Sequence, residues 1–359
     1  MVINKLCTDA LRLLAIALVV NSHMDIFYPV QQFGTGGAIG NSLFFMLSAY
    51  GITVSERSKP QSFSSYLGKR VLRVYIPTWT CIIFLILPVI YYYSHVRPET
   101  AHSLVHYVGL DDPLRAIGIL FYPPPDFWFL DALMFYYVVG FFLVKFYRPT
   151  LLALAVAVAM AIYISMYLMS TDFSLLIVEQ EIRFKLVFYF ITFLFGIYLA
   201  ENWTVARRSR SQTIFDIVMM ALALLIMYGH KILMARGMFS SWQFIQQIMI
   251  FPILLALIRL VNLTSVVKVL SETRFLNHVI ALGASMTLEL YLTHGPLRAV
   301  MYSYLPGFPL NVVLYTPVVV MIAYSLYRIN ALFRVKAETF LARIAVDAST
   351  NSSVPEKHC

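Results

Sequence analysis

Residues 9–28 read DALRLLAIALVVNSHMDIFY (Asp9 to Tyr28), an otherwise apolar run of membrane-spanning length that carries Arg12 and His23 within it. About twenty such residues are enough for a helix to cross a hydrocarbon core of roughly 30 Å. Eleven residues separate Arg12 from His23, about three full turns, so on a helix they share one face roughly 16 Å apart along the axis. Ionisable groups at that depth are costly and usually functional.

The rest of the chain has the same character. Of 359 residues 60% are hydrophobic and 13% charged, with a mean hydropathy of +0.75. Soluble domains carry nearer 25% charged residues, so an ordinary soluble enzyme is excluded. The apolar runs are continuous rather than alternating, which selects helices over a β-barrel. Ten spans can be drawn, near 10–28, 37–55, 74–93, 127–144, 150–169, 186–201, 213–229, 243–262, 278–297 and 309–327. The expected fold is an all-α polytopic membrane protein, with a transmembrane domain over 1–330 and a partly disordered cytoplasmic tail over 331–359.

The first run has a meagre charged leader and no small-residue cleavage site, and Arg12 interrupts it, so it is expected to be retained rather than cleaved. With the N-terminus inside, the inner segments hold most of the Lys and Arg, among them Lys69, Arg70, Arg73, Arg207, Arg208, Arg210, Arg334 and Lys336. The outer ones hold few, such as Arg97, Arg183, Lys185 and Lys231. That asymmetry predicts both termini in the cytoplasm. It also accounts for the net charge of +9, which leaves no reason to expect a nucleic-acid partner. Three cysteines, Cys7, Cys81 and Cys359, are too few for a disulfide framework.

Along the chain, Gly36, Gly37 and Gly40 precede NSLFFMLSAYGI (Asn41 to Ile52), and small residues of this kind let helices approach closely. Arg70 and Arg73 lie at i and i+3 before Pro77. Two guanidinium forks on one helix face suit phosphate oxygens, although the same charges also serve as positive-inside flanks. His95, His102 and His106 follow helical spacing, yet beside Tyr91, Tyr92 and Tyr93 they read as a surface amphipathic segment, and no metal is expected. Pro123 to Pro125 lead into Asp126, Trp128 and Asp131 near the outer interface. Glu179, Glu181, Arg183 and Lys185 read as a solvated mixed-charge edge, and Arg259 as a snorkelling side chain. In the ninth span Ser285 and Glu289 stand one turn apart, while Gly295 and Pro296 after His294 should end or kink the helix. A buried Glu289 needs a cation or a hydrogen-bond network, with Arg12 as one candidate partner.

These motifs, in order, resemble the membrane-bound acyltransferase-3 family. Arg12, ten residues and His23 resemble its first-span signature. LFFMLSAYGI (Leu43 to Ile52), with Ser48, is similar to its Phe-Phe-x-x-Ser-Gly stretch, with Ala49 where a glycine is usual. KRVLRVYIP (Lys69 to Pro77) resembles its paired arginines before a proline. FWFLDALMFYY (Phe127 to Tyr137) is similar to its Trp-Phe-Leu segment, and LELYLTH (Leu288 to His294) to its Tyr-Leu-x-His. The stand-alone form, with no fused extracytoplasmic domain, is expected.

The resemblance implies transfer of an acyl group, most often acetyl from acetyl-CoA, to a hydroxyl of a cell-surface polysaccharide, an O-antigen or a lipid-linked glycan precursor, in a bacterial inner membrane. His23 would be the general base, or a transient acyl carrier, and Arg12 would orient the thioester or another polar group. Arg70 and Arg73 would hold the CoA phosphates. Ser48, Trp128, Asp131, Ser285, Glu289 and His294 would shape the site. Acyl-CoA, the glycan or lipid-linked sugar acceptor and membrane lipids are the expected partners, with acyl-CoA a donor substrate rather than a bound cofactor. The rival class is a proton-coupled transporter or flippase of an envelope precursor, in which Arg12, His23 and Glu289 line a path. A purely structural scaffold leaves the intramembrane charges unexplained.

Overall fold

A computed structural model describes residues 3–107, 110–112, 127–170, 172–173, 176–204 and 208–351, with the backbone alone for Tyr107 and residues 338–351. Pro123 to Pro125, Asp126 and Arg207 lie outside the described residues. Every regular element among those described is helical. In order they are α1 (Lys5–Ser22), α2 (Gly37–Ser58), α3 (Phe63–Cys81), α4 (Leu87–Val96), α5 (Pro98–Tyr107), α6 (Trp128–Lys145), α7 (Pro149–Met169), α8 (Ile182–Asn202), α9 (Arg210–Ala235), α10 (Phe244–Val261), α11 (Thr264–Glu272), α12 (Arg274–Ser285), α13 (Thr287–Met301) and α14 (Leu310–Asn351).

A helix lies at each of the ten expected spans. Among the described residues eight are long and apolar enough to cross a membrane, or nine if the broken pair α12 and α13 counts as one. The remaining one, α1, holds Lys5, Asp9 and Arg12 within eighteen residues, more charge than an ordinary span tolerates. Outward faces are strongly apolar. Leu154, Val158, Leu168 and Met169 on α7, with Phe215, Val218 and Leu225 on α9, are all at least half exposed, which a bilayer accommodates and water does not.

The chain divides into two compact units. The first comprises residues 1–63, 128–287 and 306–312. Its core is α2, which packs against α1, α6, α8 and α10, with Phe45 between Phe129, Tyr136 and Tyr189 at ring separations of 4.6, 5.0 and 5.4 Å. Small residues permit this closeness. A Cβ at Gly40 would stand 2.6 Å from the Ala15 carbonyl of α1, and Gly36 caps α2 at φ +101°, in the left-handed region that suits glycine. Helix packing, as expected for small residues here, is therefore what Gly40 serves.

The second unit comprises residues 64–127, 288–305 and 313–359. After Pro77 inside α3 the helix passes through a π-helical turn at Ile82–Ile86 into α4. The last helix continues past Ala331 to Asn351.

Candidate functional site

In the first unit α1 stops at Ser22, and His23 is its C-cap, with its backbone N–H bonded to the carbonyls of Val20 and Asn21. Helical register therefore ends one residue before His23, and the cap, not the register, sets its ring. Nδ1 lies 2.9 Å from the Val19 carbonyl and 3.3 Å from Ser22 Oγ. A carbonyl only accepts, so in the neutral ring Nδ1 carries the proton and Nε2 the lone pair. That is the tautomer a general base needs. The following loop is pinned beside it. Asn21 donates to the carbonyls of Phe33 and Thr35 at 2.9 Å each, and Tyr28 donates to Asn21 Oδ1 at 2.7 Å.

Arg12 lies nearer the other end of α1. Its Nη1 is 3.4 Å from Asp9, a buried carboxylate that also meets Lys5 at 2.6 Å. A Cβ on Gly51 of α2 would come 3.7 Å from Arg12 Nη2, so the guanidinium runs along the small-residue stretch that holds Ser48, itself half-buried in α2. Asp9 is the anion that sequence reasoning missed, although its spacing of i and i+3 from Arg12 was visible.

Trp128 and Asp131 open α6, a turn apart. The Trp128 ring stacks on Tyr189 of α8 at 5.6 Å, and Lys185 Nζ stands 5.0 Å over the same indole. Trp128 is thus more than an interfacial anchor, and Lys185 is not part of a solvated edge. Glu179 is likewise occupied, by Lys231 of α9 at 2.5 Å. Glu179, Lys185, Tyr189 and Lys231 border a small cleft with Ala38, Phe184, Gln246 and Gln247 on its walls. Gly37, next to Ala38, lies against Ser22; a Cβ there would be 2.5 Å from Ser22 Oγ.

At the opposite end of these helices Arg259 does not snorkel away. It pairs with Asp216 at 2.9 Å, which Arg208 also grips at 2.7 Å, and it lies over Trp203 at 5.2 Å.

The break at Met286 separates Ser285 from Glu289, so the two do not share a helix turn as expected. Ser285 ends α12, exposed, and donates to the Leu282 carbonyl at 2.7 Å. The α13 helix then runs unbroken through Gly295 and Pro296. The interruption thus falls ten residues before the proline rather than at it.

In the second unit, Glu289 accepts from Asn330 Nδ2 at 2.8 Å and faces Arg334 at 3.5 Å. Asn330 also accepts from Thr80 at 2.5 Å. The partner of Glu289 is therefore Arg334, not Arg12, a contact of 45 residues' separation that spacing does not reveal. His294 is buried, with Nδ1 3.2 Å from the Leu290 carbonyl, and its own carbonyl accepts from Tyr315 at 2.6 Å. Arg70 and Arg73 lie on α3, with Arg70 5.3 Å over Tyr66 and Arg73 exposed. His106 pairs with Asp111 at 2.8 Å, and the described residues hold no group of three or more potential metal ligands.

A family model described as an acyltransferase domain matches residues 6–328. No curated protein and no solved structure matches the chain.

Proposed function

The chain belongs to the acyltransferase-3 family and is a membrane acyltransferase, and from that premise we propose that it moves an acetyl group from cytoplasmic acetyl-CoA to a hydroxyl of a surface glycan or its lipid-linked precursor. The observation that carries this reading is the capping geometry of His23, whose Nδ1 is held at 2.9 Å by the Val19 carbonyl so that Nε2 presents the lone pair. Nε2 removes the acceptor hydroxyl proton as that oxygen attacks the thioester carbonyl. The tetrahedral adduct collapses, the carbon–sulfur bond breaks, and the imidazolium returns its proton to the departing CoA thiolate. General-base assistance of this kind contributes roughly 10²–10⁴-fold.

Arg12 stands about 16 Å from His23 along α1, too far to serve the same atom. It orients the donor deeper in the protein, with Asp9 fixing its reach. Arg70 and Arg73 take the CoA phosphates, for which guanidinium forks are suited. Ser48, Trp128 and Asp131 shape the surrounding site, and the protein lies in a bacterial inner membrane with both termini cytoplasmic.

Comparing envelope glycans from cells with and without the protein by mass spectrometry tests the assignment. An acetyl increment on one sugar, present only with the protein, is the expected result. Identical glycans, alongside transport of an unmodified precursor by the purified protein, would refute it.

A further inference from the structure

We infer that the basic recess where α8 ends, α9 begins and α10 ends holds the phosphodiester headgroup of an anionic membrane phospholipid. The inference stands apart from the acyl-transfer reading and uses residues to which that reading gives no role.

Two adjoining cavities of about 230 and 330 Å³ form the recess, with Arg208 and Asn262 on the walls of both. They lie close to the lower end of the roughly 300–1,000 Å³ typical of small-molecule sites. Arg259 lines the first and Arg210 the second, and among the described residues no acidic side chain lines either. Asp216, the carboxylate of the cluster, is only 2% exposed.

Arginines that merely flank a span extend freely into water. Arg208 and Arg259 are instead largely buried and fixed. Arg208 donates from Nε and Nη2 to Asp216 Oδ2 at 3.1 and 2.7 Å, and Arg259 donates from Nη1 to Oδ1 at 2.9 Å. A guanidinium has five N–H donors. Among the described residues Asp216 is the only hydrogen-bond acceptor that either one meets, so Nη1 of Arg208 and Nη2 of Arg259 are left for another. One carboxylate also cannot neutralise two guanidinium groups, and Arg210 adds a third. Held forks with surplus charge suit phosphate oxygens. The second cavity adds backbone donors, because α11 starts at Thr264 with no side chain capping it, and Thr264 and Ser265 stand on the wall.

The remaining wall distinguishes a lipid from a water-soluble phosphate. Ile214 lines the second cavity and begins an exposed apolar stripe that continues through Val218, Leu222 and Leu225 on one face of α9. A phosphate in the recess therefore leaves its acyl chains against a face already suited to hydrocarbon. Basic pockets between spanning helices at the cytoplasmic surface bind anionic headgroups, and the Lys and Arg asymmetry assigns this end to that side.

Native mass spectrometry of the full chain, released from a nonionic detergent, tests the site with phosphatidylglycerol and phosphatidylcholine of the same chain length. Phosphatidylglycerol should be retained and phosphatidylcholine lost, and Arg208→Gln with Arg210→Gln should weaken retention about tenfold or more. Removing two charges at another turn, Lys145→Gln with Arg148→Gln, should leave it unchanged. Arg210 is exposed and outside the Asp216 pairs, so Arg210→Gln alone, expected to weaken retention at unchanged Tm, decides the matter if the double variant unfolds early. Equal retention of the two lipids, equal loss from both double variants, or full retention by Arg210→Gln would overturn the proposal. Displacement of phosphatidylglycerol by equimolar coenzyme A would assign the recess to a soluble phosphate and overturn it too.

Discussion

His23 and Arg12 were the visible residues of the first helix, but the groups that make each usable are its neighbours. The Val19 carbonyl fixes the imidazole tautomer, and Asp9, buried between Lys5 and Arg12, holds the guanidinium. Replacing Asp9 by Asn leaves Arg12 without its anion. It should lower stability by about 1.5–3 kcal/mol, the range for hydrogen bonds to charged groups, seen as a fall in Tm in detergent, and should raise KM for acetyl-CoA. An Asp9→Asn variant with wild-type Tm and KM would show the pair to be incidental. Both charged residues could be read from sequence because an intramembrane charge stands out against an apolar run. The contacts of Lys185 with Trp128 and of Glu179 with Lys231 could not, since they exist only after folding.

At the scale of elements, the decisive feature is the fit of α1 against α2. A side chain at position 40 would press on the backbone of α1 at Ala15, and backbone cannot swing aside as a side chain can. Gly40→Ala should therefore cost about 1–3 kcal/mol, as overpacking does, measured by thermal unfolding in detergent. Unchanged stability would mean the helices can separate there. The sequence marked this stretch by its small residues, and the ten helices by their continuous apolar runs. It misplaced the break in the ninth span, because Pro296 is a strong local signal whereas the stop at Met286 is not marked by proline. Around the buried Glu289, the buried Asn330 and the half-buried Arg334 form a network. Removing one partner of a buried ion pair typically costs about 3–5 kcal/mol, so Arg334→Ala should approach that destabilisation while Glu289→Gln with intact Asn330 should be milder. Equal Tm values for the two would refute the pairing.

At the scale of the whole molecule, lateral exposure of apolar residues on α7 and α9 establishes a multi-pass membrane protein, and the Lys and Arg asymmetry predicts its direction. A green fluorescent protein fused after Asn351 should fluoresce and an alkaline phosphatase at the same place should be inactive; the reverse pattern would invert the topology and put His23 on the donor side. Family membership over residues 6–328 fixes the class of chemistry. The central claim is that His23 Nε2 is the base for acyl transfer. It is tested most directly by following radiolabelled acetyl from acetyl-CoA into native envelope glycans in membranes holding equal amounts of wild type and His23→Ala. The account predicts a loss of roughly 10²-fold or more in the variant, with unchanged thermal stability; transfer at the wild-type rate would contradict it.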